Sequence, residues 1–367
     1  MHALLDELRE IGLSAGLDAV GVARAEPFTD TRRHLEQRKA AGLHGGMHFT
    51  YGDPGRATDP ATALPGARSL IVGARSYRRS PPSAPAGRGP VARVASYSWR
   101  DHYQPLRDAL AQVASRLEAD GWRTRVLVDD NALVDREAAY RAGLGWYGKN
   151  TNLLLTGRGS WFVLGSVVTD AALPAAIPVA DGCGACTRCL PACPTGALVA
   201  PGVLDARRCL AHLVQAPGPF PVELREALGD RLYGCDDCQE ACPPNRTEDR
   251  RVPPPPPEAD AEPWVPVLEV LAADDHELLR RFGRWYIPRR QPRYLRRNAL
   301  VVLGNVGDGR DRGVVAALRR ALAAADPLVR SHAVWAAARL GRHDLLDAVT
   351  GDADAEVQAE LARASIR

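Results

Sequence analysis

All eight cysteines of this 367-residue chain fall in the 60 residues from Cys183 to Cys242, and the other 307 residues contain none. A secreted scaffold stapled by disulfides would spread its cysteines along the chain and carry an export signal. Here the N-terminus, MHALLDELREIGLSAG, has acids early and reads as an amphipathic helix. No apolar run approaches the roughly 20 residues that cross a bilayer, so no membrane contact is expected. The expectation is a cytoplasmic protein whose thiolates hold metal in a reducing compartment.

Spacing narrows the metal. Cys183-x2-Cys186-x2-Cys189-x3-Cys193-Pro194 is the bacterial ferredoxin run, in which three thiolates wrap one iron–sulfur cluster and the fourth reaches its neighbour. The second half, Cys235-x2-Cys238-x3-Cys242-Pro243, lacks a leading cysteine, and Cys209 is left to supply it. Cross-wiring assigns one 4Fe–4S cluster to Cys183, Cys186, Cys189 and Cys242, and another to Cys193, Cys209, Cys235 and Cys238. Two four-thiolate zinc sites would use the same residues. Zinc ribbons, however, use paired hooks and do not require a triple hook followed by Cys-Pro. Two adjacent clusters carry electrons singly and imply a redox partner.

Hydrophobic residues at 46% and charged residues at 25% are ordinary globular usage, and the length suggests two to three domains. Residues 1 to about 180 alternate helical and strand patterns. Strands are expected at Asp18–Ala23, Arg68–Gly73, Arg123–Val128, Thr151–Thr156 and Trp161–Thr169, and helices at Leu106–Glu118 and Leu133–Ala142. Ser80 to Pro90 reads as a loop and Gly143 to Asn150 as a glycine-rich turn. Five prolines, Pro253 to Pro257, form a stiff spacer at a domain edge. Beyond it, Asn298-Ala-Leu-Val-Val-Leu-Gly-Asn-Val-Gly307 and His332-Ala-Val-Trp-Ala-Ala-Ala-Arg-Leu-Gly341 are two similar segments 34 residues apart. These are HEAT-type helical repeats or two ordinary Ala-rich helices.

The electron acceptor has no nucleotide signature. Neither a Gly-x-Gly-x-x-Gly loop after a strand nor a P-loop occurs. Asp129 ends a Val-rich strand, where functional groups of α/β layers concentrate. Partly desolvated, its carboxyl would have a raised pKa and could give a proton to a leaving oxygen. Turn and helix-cap duty is the alternative for Asp129, Asp130 and Asp135. Only Lys39 and Lys149 are lysines among 47 basic residues. Lys149 therefore points weakly to a specific role, with a surface charge as the alternative.

Several long motifs resemble epoxyqueuosine reductases, cobalamin-dependent iron–sulfur enzymes of tRNA queuosine synthesis. They include Arg141-Ala-Gly-Leu-Gly-Trp-Tyr-Gly-Lys-Asn150, Gly182-Cys-Gly-Ala-Cys-Thr-Arg-Cys189, Asp205-Ala-Arg-Arg-Cys-Leu210 and Arg231-Leu-Tyr-Gly-Cys-Asp-Asp-Cys-Gln239. The resemblance implies reductive removal of the epoxide oxygen from epoxyqueuosine at the wobble position of tRNAs with a GUN anticodon. It implies a base-off cobalamin between the clusters and the substrate, and a proton donor at Asp129. Corrinoid contacts fall on or near Arg56, Val94, Asp129, Leu153, Leu164 and Gln215. An external electron donor of ferredoxin or flavodoxin type and a monomeric enzyme are expected. A corrinoid reductase of dehalogenase type, and an electron-transfer protein fused to an RNA-binding scaffold, are the other readings.

Arg280 to Arg297 holds eight arginines and no acid, with Phe282, Trp285, Tyr286 and Tyr294 interleaved. Arginines contact phosphates and aromatic rings stack unpaired bases, as an anticodon loop requires. Arg281, Arg284, Arg289, Arg290, Arg293, Arg296 and Arg297 are the candidate tRNA contacts, against the alternative of a solvated basic helix end with core aromatics. The expected fold is a multidomain α+β protein. It comprises an α/β cobalamin-binding domain at 1–178, a ferredoxin-type module at 179–250, a Pro-rich linker at 251–262 and a helical HEAT-like tRNA-binding domain at 263–367.

Overall fold

Val-, Ile- and Leu-rich runs of the first half of the chain form strands, separated by amphipathic helices, in the computed structural model. It describes residues 1–87 and 89–365. The strands discussed below are β1 (Ala19–Arg24), β2 (Ser69–Ser76), β3 (Val91–Val94), β4 (Thr124–Val128), β5 (Gly145–Tyr147), β6 (Leu153–Leu155), β7 (Phe162–Thr169), β8 (Arg231–Tyr233) and β9 (Trp264–Pro266). The helices are α1 (His2–Ser14), α2 (Tyr103–Ala119), α3 (Asp135–Arg141), α4 (Asp275–Phe282), α5 (Arg293–Val306), α6 (Arg312–Leu322), α7 (Pro327–Arg339) and α8 (Ala355–Ala364).

The chain forms two compact units that do not follow sequence order. The first comprises Met1–Ser80, Arg100–Arg207 and Asp236–Pro256, and the second Pro81–Trp99, Arg208–Cys235 and Pro257–Arg367. The boundary between Pro256 and Pro257 falls within the proline run. The segment 81–99, expected inside an uninterrupted α/β domain, lies instead in the second unit. The cause is strand pairing, because β3 is the middle strand of a three-stranded sheet between β8 and β9.

In the first unit β1, β2, β7 and β4 make a four-stranded sheet in the order β1-β2-β7-β4, every neighbouring pair antiparallel. Leu70, Ile71 and Val72 of β2 are fully buried, as a central strand covered on both faces requires. Gly73 of β2 pairs with Gly165 of β7, and a Cβ at either would stand within 3.0 Å of Leu110 on α2. The paired glycines therefore let α2 lie close against the sheet. Thr151–Thr156, expected as a strand of this layer, forms instead the second arm of a separate hairpin of β5 and β6. Part of the expected Gly143–Asn150 turn is its first arm.

The second unit has helical packing as its core. Leu300, Val301, Val302 and Leu303 of α5 are fully buried with Ala333 and Val334 of α7. The corresponding repeat positions Asn298 and His332 are fully buried as well. Asn298 donates to the carbonyl of Val214 at 2.9 Å, and the Phe220 amide donates to His332 Nε2 at 3.1 Å. Both satisfy main-chain groups that burial would otherwise leave unpaired.

Candidate active site and cysteine module

Asp129 follows the last ladder pair of β4 with β7, Val128 with Gly165. It adopts φ +52°, an uncommon conformation for a residue with a Cβ. Arg107 of α2 donates Nη2 to the Val128 carbonyl at 3.0 Å. Asp129 retains exposed surface, while the protein atoms around its carboxyl partly desolvate it. That desolvation raises its pKa; Arg107 opposes the shift and Asp130 adds to it. A strained, partly desolvated carboxyl at a strand end has the properties of a proton donor.

The neighbouring acids divide. Asp130 accepts from the Ala132 amide at 2.8 Å, which is turn duty. Asp135 opens α3 without capping it, and its Oδ1 is buried with no hydrogen-bond partner. Desolvation, with the charge of Asp129, pushes this carboxyl well up. Sequence spacing does not reveal this second acid as a member of the site. Tyr147, exposed at its surface but set among protein atoms, has its phenol raised by desolvation and by Glu137.

The expected corrinoid contacts are split. In the first unit Leu164 stands on β7 immediately before the glycine paired with Val128. Leu153, 4% exposed, pairs with Tyr147 across the hairpin. Arg56 is exposed, and the carbonyl of the adjacent Ala57 accepts from the Val134 amide at 3.0 Å. Val94 and Gln215 belong to the second unit. The Val94 side chain is buried in that unit's core, its amide donates to the Pro263 carbonyl at 3.0 Å, and its carbonyl accepts from Trp99 Nε1 at 2.7 Å. Gln215 Nε2 donates to Tyr97 Oη at 3.2 Å and to the Ala211 carbonyl at 3.0 Å.

None of the eight cysteines is in a disulfide. Four of them act on one another within the first unit. Burial, with the neighbouring charges of Cys183, Cys189 and Cys186, pushes the Cys242 thiol up to about 11. Cys189 is raised by burial and by Cys183 and Cys186. Among the described residues no group of three or more His, Cys, Asp or Glu is arranged to hold a single metal ion. A four-iron cluster asks for something else, since each thiolate binds a different iron at its own corner. The chemistry of this donor set fits such a cluster. Trp146 packs with Leu154 against Cys242, with Cys183 and Val179 alongside. Cys193, also in this unit, is surrounded by amides, with Ala197 donating to its Sγ at 3.2 Å. Cys209 and Cys235 belong to the second unit. Lys149 is engaged in the cysteine module and donates Nζ to the Gly184 carbonyl at 2.6 Å.

The arginine stretch contracts in the structure. Arg297 is 1% exposed and donates to the carbonyls of Leu213, Ala216 and Gly218 at 2.9, 2.7 and 2.6 Å. It is a core residue and not a tRNA contact. Phe282, Trp285 and Tyr294 are buried too, while Tyr286 is 64% exposed. Acids from outside the stretch compensate others. Arg281 meets Glu262 and Glu269, Arg284 meets Glu262, Arg293 meets Asp326 and Arg296 meets Asp275. Arg280 pairs with Glu277. Exposed Arg289 and Arg290 have positive φ of 50° and 53°. Beside them a recess of about 580 Å³ is lined by Arg290, Gln291, Arg293 and Arg296 with Asp275 and Asp326.

Residues 57–130 match the family described as "Epoxyqueuosine reductase QueG, DUF1730", residues 182–245 the "4Fe-4S double cluster binding domain", and residues 286–366 "HEAT repeats". The epoxyqueuosine reductase of Xanthomonas campestris is 36% identical over 91% of this chain and 95% of its own, and that of Bacillus subtilis 32% over 98% and 95%. The crystal structure of an epoxyqueuosine reductase with a tRNA-Tyr epoxyqueuosine-modified stem loop superposes with a TM-score of 0.89 at 30% identity, covering 99% of this chain and 98% of that one. A Bacillus subtilis structure with its catalytic aspartate loop swung out of the active site matches at TM-score 0.88 and 31% identity over 99% and 98%.

Proposed function

The chain belongs to the epoxyqueuosine reductase family of oxidoreductases, and on that basis we propose that it converts epoxyqueuosine to queuosine at the wobble position of tRNA, with Asp129 as the proton donor. The reaction takes up two electrons and two protons, opens the carbon–oxygen bonds of the epoxide and releases the oxygen as water. The observation that carries the assignment is Asp129 itself: a carboxyl at a strand end, held at φ +52° and raised by desolvation. Such a group holds its proton to higher pH than an ordinary aspartate and can deliver it to an oxygen as the carbon–oxygen bond breaks.

Cobalamin, when bound, would supply a cobalt centre able to collect single electrons and act on the epoxide carbon. Arg56, Leu153 and Leu164, with the main chain at Asp129, are the first-unit residues that would hold it; Gln215 is carried from the resemblance. Arg107 fixes the strand end, and Leu164 stands on β7 one residue before the glycine that pairs with Val128. The thiolates of Cys183, Cys186, Cys189 and Cys242 would hold one 4Fe–4S cluster. Cys193, Cys209, Cys235 and Cys238 are assigned to the other by spacing. Electrons come from an external donor of ferredoxin or flavodoxin type.

For the RNA, Tyr286, Arg289 and Arg290 form the exposed set, with Arg284, Arg293 and Arg296 behind them in partly compensated positions. The test is anaerobic incubation of the cobalamin-loaded, reduced protein with epoxyqueuosine tRNA, followed by mass spectrometry of the nucleosides. Appearance of queuosine is expected. Its absence with intact clusters and bound cobalamin, or turnover of an organohalide in its place, overturns the assignment.

A further inference from the structure

The sequence Gly148-Lys149-Asn150 has no part in the proton chemistry above, yet it is where the β5–β6 hairpin grips the cysteine loops. A Cβ on Gly182 would stand 2.6 Å from the Trp146 ring, so the chain passes directly over the indole there. Lys149 Nζ donates to the Gly184 carbonyl at 2.6 Å. Asn150 Nδ2 donates to the Cys238 carbonyl at 3.3 Å, and Asn152 Nδ2 approaches Cys238 Sγ at 4.0 Å. The main chain of Lys149 is itself anchored, its carbonyl accepting from the Gly202 amide at 2.9 Å.

Gly184 lies between Cys183 and Cys186 and has φ +48°, a conformation that favours glycine. The partner of Lys149 there is a neutral carbonyl, so that bond does not neutralise the ammonium. A compact ammonium on a flexible stem suits a single carbonyl target, whereas a guanidinium fork is built for two acceptors. This gives a physical reason for lysine in a chain that otherwise uses arginine.

We infer that Lys149 tunes the cluster held by Cys183, Cys186, Cys189 and Cys242, raising its reduction potential by placing a fixed positive charge against the Cys183–Cys186 loop. The inference rests on the cluster assignment made above. Reduction adds one negative charge to a centre that its four thiolates already make anionic. A nearby cation stabilises the reduced form more than the oxidised one, and cluster potentials respond to net charge, hydrogen bonding and exposure. Lys149 thus acts on electron supply to the reaction without touching the substrate.

The experiment is an EPR-monitored redox titration, with dithionite and mediators, of the full-length anaerobically reconstituted protein. Wild type is compared with Lys149→Met, Lys149→Gln and Lys149→Arg, with iron content measured on each. In Met and Gln variants of full iron content, one of the two clusters is expected to move to lower potential while the other stays in place. Lys149→Arg should retain the wild-type value. Gln can keep a hydrogen bond to Gly184 without the charge, so it decides the matter if the Met variant loses its cluster. Unchanged potentials in Lys149→Gln, or an equal fall in Lys149→Arg, would overturn the inference. A wild-type protein that binds no iron would remove the cluster assignment beneath it.

Discussion

Arg107 donates from Nη2 to the main-chain oxygen of Val128 across 3.0 Å, one residue before Asp129. A single guanidinium thus closes the end of β4 and places its charge near the carboxyl that follows. Its two effects oppose each other: holding the strand end favours a defined donor, while the positive charge makes the donor more acidic.

Asp129→Asn keeps the shape of the side chain and removes the acid. Turnover of epoxyqueuosine tRNA is expected to fall by about 100-fold or more, the usual range for loss of a general acid, with tRNA affinity unchanged. Single-turnover assays beside filter binding check this. Near-wild-type turnover would end the assignment of the donor.

Arg107→Gln should shift the pH dependence. A donor is active while protonated, so turnover is retained below its pKa and lost as pH rises through it. Because Arg107 lowers the Asp129 pKa, the Gln variant should hold its activity to higher pH, although with a smaller plateau from the loosened strand end. The pH–rate profile is the measurement, and an alkaline limb that stays put or moves down contradicts the coupling.

Arg289→Ala and Arg290→Ala are expected to weaken tRNA binding and to reduce the slope of log affinity against log salt by roughly 0.7–0.9 for each phosphate no longer neutralised. Tyr286→Ala, where the ring can stack on a base, should weaken binding by about 1–3 kcal/mol with little change in slope. Arg297→Ala should behave differently. It strands carbonyls of Leu213, Ala216 and Gly218, so a loss of stability of about 3 kcal/mol or more is expected, read as a lower Tm.

Asp135→Asn should stabilise the protein as pH rises. The folded pKa of Asp135 lies above its ordinary value, so its contribution to stability is fully present below the unfolded pKa and is lost as pH climbs through the folded one. Asn has no charge to desolvate. The Tm gap in its favour should be absent near pH 3 and open at neutral pH to the equivalent of about 1 kcal/mol; a gap that does not change with pH would contradict this.

How far each part of the site was legible follows from the range of the forces that made it. Cysteine spacing is a local signal, and the grouping of Cys183, Cys186 and Cys189 with distant Cys242 follows the ferredoxin pattern. The strand end at Asp129 was visible because a Val-rich run stops there. What surrounds it was not, since Arg107 reaches it from a helix some twenty residues earlier and Asp135 acts through burial. The arginine stretch misled for the same reason. Within Arg280–Arg297 there is no acid, but Glu262, Glu269, Asp275 and Asp326 come from neighbouring elements. The aromatic residues between the arginines point mostly inward.

Metal chemistry, helical repeats and the position of the acid could all be read along the chain, because each is written in short-range spacing: ferredoxin hooks, a repeat of small and apolar residues, a β-branched run with its end. Which residues those features work with emerged only on folding. Strand pairing took 81–99 into the second unit, packing turned Arg297 from a surface charge into a core donor, and the β5–β6 hairpin carried Lys149 to the Gly184 carbonyl. Desolvation and charge compensation depend on what packs nearby in space, and that neighbourhood is made by segments far apart in the chain.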